Sequence, residues 1–151
     1  MNDINLEYLH QFNHFLKENT NIYANIAKNF GIPESALWTL YTIRIAETNL
    51  TQSEICNLQF ESKQTVNSSL KNLEAQGFIT FKPTNDKRKK LISLTPDGIK
   101  LAEKTVDKVI NAEKQTFADM DERELNIFFV IAEKYNLKLK ENILNIFKEE
   151  E

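Results

Sequence analysis

The sequence predicts a mainly α-helical fold with one β-hairpin. Three observations support this fold class. Apolar residues recur at intervals of three and four over most of the 151-residue chain, which is the period of amphipathic helices. The chain has only three glycines and three prolines, which favours long helices joined by few breaks. In one short stretch after Gly77, the apolar period changes from about 3.6 to about 2, the period of a strand.

Two helices are predicted in the N-terminal third. Apolar residues at spacings of three, four and seven predict a long first helix from Ile4 to Phe30. Gly31 marks its end, and Pro33 suits the first turn of the next helix, where its missing N–H would be unpaired in any case. The second helix, over residues 33–47, is apolar on most sides, so we expect it to be buried.

A pair of helices followed by a hairpin is predicted in the middle of the chain. Thr51, with Glu54 three residues later, matches a capping box, so a short third helix begins after Thr51. The fourth helix carries one apolar stripe and ends at Gly77. Segments 78–82 and 91–95 are short and rich in β-branched and aromatic residues, and they predict the two strands of a hairpin.

Two further helices complete the prediction. Thr95 is a cap and Pro96 suits a first turn, so a fifth helix begins there and its apolar face continues to Ile110. Residues 121–124 give another start signal. A long, strongly apolar sixth helix follows nearly to the end of the chain.

The composition argues against several classes of protein. Hydrophobic residues make up 41% and charged residues 27% of the chain, as in ordinary globular domains. No apolar run reaches the roughly 18 residues that span a bilayer, and the N-terminus lacks a basic segment followed by an apolar one. We therefore expect a cytoplasmic protein without a membrane partner, which agrees with a single cysteine. Glycine-rich phosphate loops and hydrolase motifs are missing, so we expect neither an enzyme nor a cofactor.

The charge of the chain is unevenly distributed. The formal net charge is −3, yet residues 62–90 hold seven basic and two acidic residues, a local charge of +5, which leaves −8 for the rest. A basic surface on an acidic chain is what phosphate binding requires. With the order of elements, it predicts a winged helix-turn-helix that binds double-stranded DNA with the fourth helix in the major groove.

Candidate DNA-contacting residues lie on the outward face of the fourth helix, near its N-terminal end. Asn and Gln can pair with adenine edges, Lys with guanine or phosphate, and the Thr methyl group with a thymine methyl. The residues are Ser62, Lys63, Gln64, Thr65, Asn67, Ser68 and Lys71. An ordinary solvated helix face carries similar side chains, and the local charge is what favours DNA binding.

The sequence LTQSEICNLQFESKQTVNSSLKNLEAQGFI, followed by NDKRKKLISLTPDG, resembles the MarR family of bacterial transcriptional regulators. The specific part of the match spans residues 50–98. The resemblance implies one domain, with a winged helix-turn-helix region over 33–98 and dimerisation helices over 1–30 and 99–151. It further implies an obligate homodimer on a pseudo-palindromic operator, usually a repressor that responds to a small-molecule effector.

The resemblance also assigns the wing, which is the hairpin and its loop. Family wings carry an Asp-x-Arg motif, present here as Asp86-Lys87-Arg88, whose arginine is expected in the minor groove with the aspartate positioning it. The lysines beside Arg88 are expected at phosphates; they are Lys87, Lys89 and Lys90. Two departures from the family pattern are present. Lys89 stands where wings often carry glycine, which suggests an extra phosphate contact. Ser68 stands where many recognition helices carry arginine, which leaves base preference open.

Alternative interpretations remain open. The basic wing could meet an acidic protein, as in a winged-helix interaction module. His10 and His14 have the i, i+4 spacing of a metal pair, but no Cys or Glu completes the set, so we expect no metal. Cys56 could be a redox sensor, although a small buried apolar role is favoured. An aromatic group could line an effector cavity or simply belong to the core; it comprises Trp38, Tyr41, Phe12 and Phe15.

Overall fold

The computed structural model describes residues 4–46, 48–59, 61–84 and 89–148. In chain order its elements are α1 (Ile4–Phe30), α2 (Glu34–Ile45), α3 (Gln52–Leu58), α4 (Lys63–Ala75), β1 (Ile79–Pro83), β2 (Lys90–Leu94), α5 (Pro96–Lys104), α6 (Val106–Ala118) and α7 (Glu122–Lys148). The mainly helical fold with one antiparallel hairpin is confirmed. Among the helices described here, none is both long and apolar enough to cross a membrane.

The chain packs as two compact units. The first unit ends at Ile110, and the second begins at Asn111. The first unit therefore contains α1 to α5, the hairpin and the start of α6, while the second contains the rest of α6 and α7. This division concerns packing within one chain, so the dimerisation role of residues 1–30 and 99–151 stays a prediction.

The core of the first unit receives apolar side chains from each of its elements. It is built around α2, which contributes three of these residues, so the predicted burial of the second helix is confirmed. The core residues are Ala27, Ala36, Leu37, Leu40, Ile55, Val66, Leu70, Leu73, Ile79, Ile92, Ala102, Val106 and Val109.

Two predicted helix starts are closed by reciprocal capping hydrogen bonds. At α3, the Thr51 hydroxyl accepts from the Glu54 N–H at 3.3 Å, and the Glu54 carboxylate accepts from the Thr51 N–H at 2.7 Å. At α7, the Asp121 carboxylate accepts from the Glu124 N–H at 2.8 Å, and the Glu124 carboxylate accepts from the Asp121 N–H at 2.9 Å. Each pair satisfies two N–H groups that a bare helix end would leave unpaired.

The hairpin is joined to the chain just before α3. Strands β1 and β2 pair in antiparallel register from Ile79 opposite Leu94. An isolated bridge joins Thr51 to Leu91, and the Ile92 N–H donates to the Leu50 carbonyl at 2.8 Å. Strand β2 of the wing is thereby fixed to the residues just before α3.

The predicted fifth helix is wrong in one respect: it is two helices, α5 and α6, separated at Thr105. Thr105 is buried, and its hydroxyl donates to the Leu101 carbonyl at 2.7 Å, while its N–H donates to the Ala102 carbonyl at 3.1 Å. Thr105 has φ −125° and ψ −90°, outside the helical region. Its N–H bonds to the i−3 carbonyl instead of the i−4 carbonyl, so the helix is interrupted.

A close backbone approach fixes the start of α5 against the end of α4. The Thr95 hydroxyl donates to the Gly77 carbonyl at 2.6 Å, and the Thr95 N–H donates to the Phe78 carbonyl at 3.0 Å. Gly98 lies so near this turn that a Cβ atom at its position would be 1.9 Å from the Phe78 carbonyl oxygen. Glycine is required there by space.

Candidate nucleic-acid interface

Helix α4 is held to α2 by a buried polar contact as well as by its apolar stripe. Thr39 and Ser69 are both buried, and their hydroxyl oxygens lie 3.0 Å apart. Each hydroxyl is also within hydrogen-bond distance of the Ser35 carbonyl oxygen, at 2.7 Å from Thr39 and 3.1 Å from Ser69. Hydrogen bonds are directional, so this contact fixes the rotation of α4 about its own axis.

Two of the candidate residues form the start of α4. The Ser62 hydroxyl accepts from the Thr65 N–H at 3.1 Å and caps the helix. The Ser62 and Thr65 hydroxyl oxygens also lie 2.8 Å apart. Serine is among the preferred cap residues because its hydroxyl replaces a missing helical acceptor. These side chains therefore have a structural role that the sequence-based assignment to DNA contact did not include.

The other α4 candidates share the face opposite the core. Lys63, Gln64, Ser68 and Lys71 are exposed, and Asn67 is half-buried. Positions three and four residues apart are neighbours on a helix surface. Gln64, Ser68 and Lys71 therefore follow one another along a single polar stripe, and the predicted outward placement is confirmed for these residues.

Asn67 makes a contact that the sequence did not indicate. The Gln52 Nε2 group at the start of α3 donates a hydrogen bond to the Asn67 Oδ1 atom. The two residues are 15 positions apart, and both are half-buried. No local sequence pattern predicts that Gln52 contacts Asn67, because the contact depends on how α3 crosses α4.

A groove joins the polar face of α4 to the strands of the wing. Its volume is about 530 Å³, and its walls come from the start of α3, from α4 and from both strands. It brings together four candidate residues, Asn67, Lys71, Lys89 and Lys90. Folding therefore places residues 67 and 90 on the same surface.

Two acidic residues, Glu54 and Glu74, also line this groove. The pKa of Glu54 is lowered by its hydrogen bonds from the Thr51 backbone and hydroxyl, with an added effect of the positive charge of Lys89. The Glu54 carboxylate is thus committed to the cap of α3. The Lys90 side chain lies beside an aromatic ring of the wing. Its Nζ atom is 5.9 Å from the centre of the Phe81 ring, a distance typical of cation–π contact.

The tip of the wing is outside the described residues. This applies to Asp86, Lys87 and Arg88, so their predicted roles stay predictions. Lys89 and Lys90, at the near end of β2, are exposed. The Lys89 carbonyl accepts from the Thr84 hydroxyl at 3.1 Å, which closes the described end of the hairpin.

The histidine pair does not form a metal site with the residues around it. His14 Nδ1 lies 3.3 Å from the Glu18 carboxylate, and both side chains are exposed. His10, His14 and Glu18 line a shallow surface depression together. Within the described ranges, no group of three or more His, Cys, Asp and Glu residues could hold a metal ion.

The remaining candidates belong mainly to packed surfaces of the first unit. Cys56 is half-buried against the core, as expected of a small apolar residue. The Trp38 ring lies 4.7 Å from the Tyr23 ring and 5.6 Å from the Tyr41 ring, centre to centre. Phe15, by contrast, is exposed. Trp38 and Tyr41 therefore share an aromatic cluster that does not include Phe15.

Comparison with known proteins supports the resemblance to the MarR family. A model of the MarR family matches residues 30–89, from the end of α1 to the start of β2. YwoH, an uncharacterised HTH-type transcriptional regulator of Bacillus subtilis, is 27% identical over 128 residues, which cover 85% of this chain and 93% of that protein. The predicted resemblance to the MarR family is confirmed over residues 30–89.

Solved structures of MarR-type regulators have the same fold. The crystal structure of the S. aureus MepR–DNA complex has a TM-score of 0.67 at 26% identity, over 87% of this chain and 97% of that one. A MarR family regulator from Neisseria meningitidis has a TM-score of 0.74 at 23% identity, over 90% of this chain and 96% of that one. The predicted winged helix-turn-helix and the role of a DNA-binding transcriptional regulator are confirmed.

Proposed function

We propose that this MarR-type regulator is a homodimeric repressor that binds a pseudo-palindromic operator, with one α4 in each half-site. The observation that carries the proposal is the groove that joins the polar face of α4 to the lysines of the wing. The +5 charge of residues 62–90, in a chain of net charge −3, supports a phosphate-facing surface there.

Helix α4 has the side chains that a recognition helix needs. Gln64 is exposed on its first turn and can pair with a base edge in the major groove. Lys63 and Lys71 stand at the two ends of the same face and can contact guanine or phosphate. The buried contact of Ser69 with Thr39 fixes which side of α4 points outward.

The wing is proposed to contact the neighbouring DNA backbone and minor groove. Lys89 and Lys90 are exposed beside α4, within reach of the same duplex, and are assigned to phosphates. Arg88, with Asp86 positioning it, is assigned to the minor groove on the basis of the family motif alone. Arg88→Ala should weaken operator binding without loss of folding.

A second copy of the chain is proposed to cover the apolar surface of the terminal helices. Over its described length α7 has no buried residue, yet it carries five consecutive exposed apolar residues, at 127–131. Apolar patches of this extent mark interaction sites. A two-fold interface presents the same patch from both subunits, which suits a symmetrical operator. A small-molecule effector would act by changing the separation of the two α4 helices, about 34 Å in successive major grooves.

The DNA-binding surface can be tested with the DNA upstream of the coding region. Binding is measured by fluorescence anisotropy over a range of salt concentrations. Because neutralised phosphates release counterions, affinity should fall as salt rises, and Lys71→Ala, which removes one lysine from each half-site, should reduce the slope by about 2. Lys138→Ala on α7, which removes a lysine paired with Glu141, is the control and should leave the slope unchanged. An affinity independent of salt, or no sequence-specific binding, would exclude the proposed function.

A further inference from the structure

One residue outside α4 contacts the proposed reading surface. Gln52 is the first residue of α3, and its Nε2 atom donates to the Oδ1 atom of Asn67 on the second turn of α4. Both side chains are half-buried and line the groove beside the wing. Asn67 follows Gln64 by three residues and precedes Lys71 by four, so it lies within the outward polar stripe.

Several contacts hold the backbone around Gln52 in place. The capping box of Thr51 and Glu54 fixes the first turn of α3, and the Ile55 side chain anchors the next turn because it is fully buried in the core. The Thr51–Leu91 bridge holds the same point against the wing. Gln52 therefore extends toward α4 from a fixed backbone.

The hydrogen bond goes with one orientation of the Asn67 carboxamide. An asparagine side chain carries one acceptor oxygen and one donor nitrogen, and rotation about its last bond exchanges them. Because Oδ1 accepts from Gln52, it is turned toward α3, and the Nδ2 donor is turned away from α3. A partner with acceptors only would favour the opposite orientation, and an apolar partner would favour neither.

We propose that Gln52 is a specificity-determining positioning residue: it holds Asn67 so that its Nδ2 donor meets a base edge. A donor pairs with N7 or O6 of a purine, or with O4 of thymine, but not with cytosine, which presents only its N4 donor in the major groove. The operator therefore excludes cytosine at the base that Asn67 reads. This inference rests on the proposed role of α4 as the recognition helix.

Two substitutions of Gln52 have opposite consequences. Gln52→Leu removes the hydrogen bond, so both orientations of Asn67 become available and cytosine is accepted. Gln52→Glu supplies only acceptors, so Asn67 must turn its Nδ2 group toward α3 and present Oδ1 to the DNA. That oxygen accepts from cytosine N4 or adenine N6. The preference at this base should then change to cytosine or adenine.

The test is selection of bound sequences from a library of randomised duplex DNA, with the full chain and each variant. Asn67→Ala identifies the base position that Asn67 reads, because the preference there disappears. At that position, we expect the wild type to disfavour cytosine by about tenfold. Gln52→Leu should reduce this factor to about twofold or less, and Gln52→Glu should invert it. Ser53→Ala, on the next residue in the same groove wall, should leave the preference unchanged.

The outcomes separate this inference from the function on which it rests. Suppose that Asn67→Ala loses the preference at one base position, while both Gln52 variants keep the wild-type preference there. That result overturns the role of Gln52 but leaves α4 as the recognition helix. Unchanged preference at every position in Asn67→Ala overturns the inference, whereas the absence of any base preference in the wild type overturns the function on which it rests. The added charge of Gln52→Glu weakens DNA binding overall. The comparison therefore uses the relative preference among the four bases at each position, not the affinity. Gln52→Glu also places a carboxylate near a helix N-terminus, where it is favourable, and thermal melting verifies that each variant is folded.

Discussion

The two units use their apolar residues in different ways. In the first unit, helices α1 to α5 and the hairpin bury a contiguous set of side chains, and Leu40, Ile55 and Ala102 have no exposed surface at all. In the described part of the second unit, α7 is as long as α1 but has no buried residue, and Val130 is 63% exposed. Apart from α1, where Ile4, Leu9 and Phe15 are exposed, the first unit is stabilised by contacts within the chain. The second has apolar surface left for contacts between chains.

This difference separates the proposed tasks of the molecule. A recognition surface needs a rigid support, because base edges must be met within a few tenths of an ångström. A dimer interface needs exposed apolar area on the separate subunit. Substitutions in the two units should therefore affect different measurements, which the following predictions test in order of decreasing effect.

The largest effect is expected from charges introduced into the apolar surface of α7. Phe128→Glu combined with Ile131→Glu should weaken dimerisation at least about 100-fold, because a two-fold interface loses each side chain twice, at about 2 kcal/mol for each burial. Sedimentation equilibrium measures the dissociation constant. Glu133→Lys, at a charged position of the same helix, is the control. A monomeric wild type would contradict the prediction and the homodimer together.

The packing of the first unit should be most sensitive at Gly98. Gly98→Ala forces a Cβ atom against the Phe78 carbonyl oxygen, 1.9 Å away, so we expect a loss of about 3 kcal/mol in the free energy of unfolding. Gly31→Ala is the matched control, because Gly31 has φ +69° and open space around it. It should lose only about 1 kcal/mol, for the left-handed backbone. Denaturant titration compares them, and equal losses would refute the steric account.

A smaller effect is expected from the ion pair between α2 and α6. Arg44 Nε donates to Asp107 Oδ1 at 2.7 Å, and a second bond joins Nη2 to Oδ2. The hydrogen bond to Asp107 raises the pKa of Arg44. Because both side chains are partly exposed, Arg44→Gln should cost about 1 kcal/mol, and less at high salt. Lys100→Gln, which breaks an exposed pair with Asp97, should cost close to nothing. Equal costs for the two variants would show that the paired geometry adds no stability.

The smallest effect is a pH dependence that originates at the cap of α3. The pKa of Glu54 is lowered by its hydrogen bonds from Thr51, so the folded state favours the ionised carboxylate. This stabilisation is complete above the ordinary glutamate pKa of 4.5 and is lost as the pH falls through the lowered value. Glu54→Gln should lower the melting temperature at neutral pH, and this difference should shrink by about pH 3. Glu74→Gln is the control, because it removes a carboxylate from the same groove but no helix cap. If the melting temperatures of the wild type and Glu54→Gln differed by the same amount at every pH, the assignment would be disproved.

The sequence predicted the elements of the fold because their signals are local. A cap and its partner are three residues apart, as at Thr51 and Asp121, and the change of apolar period at Gly77 is visible within one strand. The observed strands are shifted by about one residue from their predicted positions. The break at Thr105 was missed, because threonine also occurs inside unbroken helices of this chain, where Thr39 and Thr42 donate to i−4 carbonyls in the same way.

The candidate site was predicted only in part, for a related reason. The outward residues of α4 follow from its apolar stripe, since the stripe defines the opposite face. The contact between Gln52 and Asn67 depends on the crossing of two helices, which no periodicity specifies. The effect of Lys89 on Glu54 likewise depends on the position of the wing beside α3. Sequence patterns identify which face of an element is polar, but contacts between elements require the structure.

The hydroxyl contact behind α4 has a consequence for how new operators can evolve. Ser69 is held by Thr39 and by a backbone carbonyl, that of Ser35, which is retained whatever side chain occupies position 35. The orientation of α4 is therefore set from its inner side. Residues 63, 64 and 68 can be exchanged without altering that orientation, so a descendant of this protein could acquire a different target sequence while its scaffold stays the same.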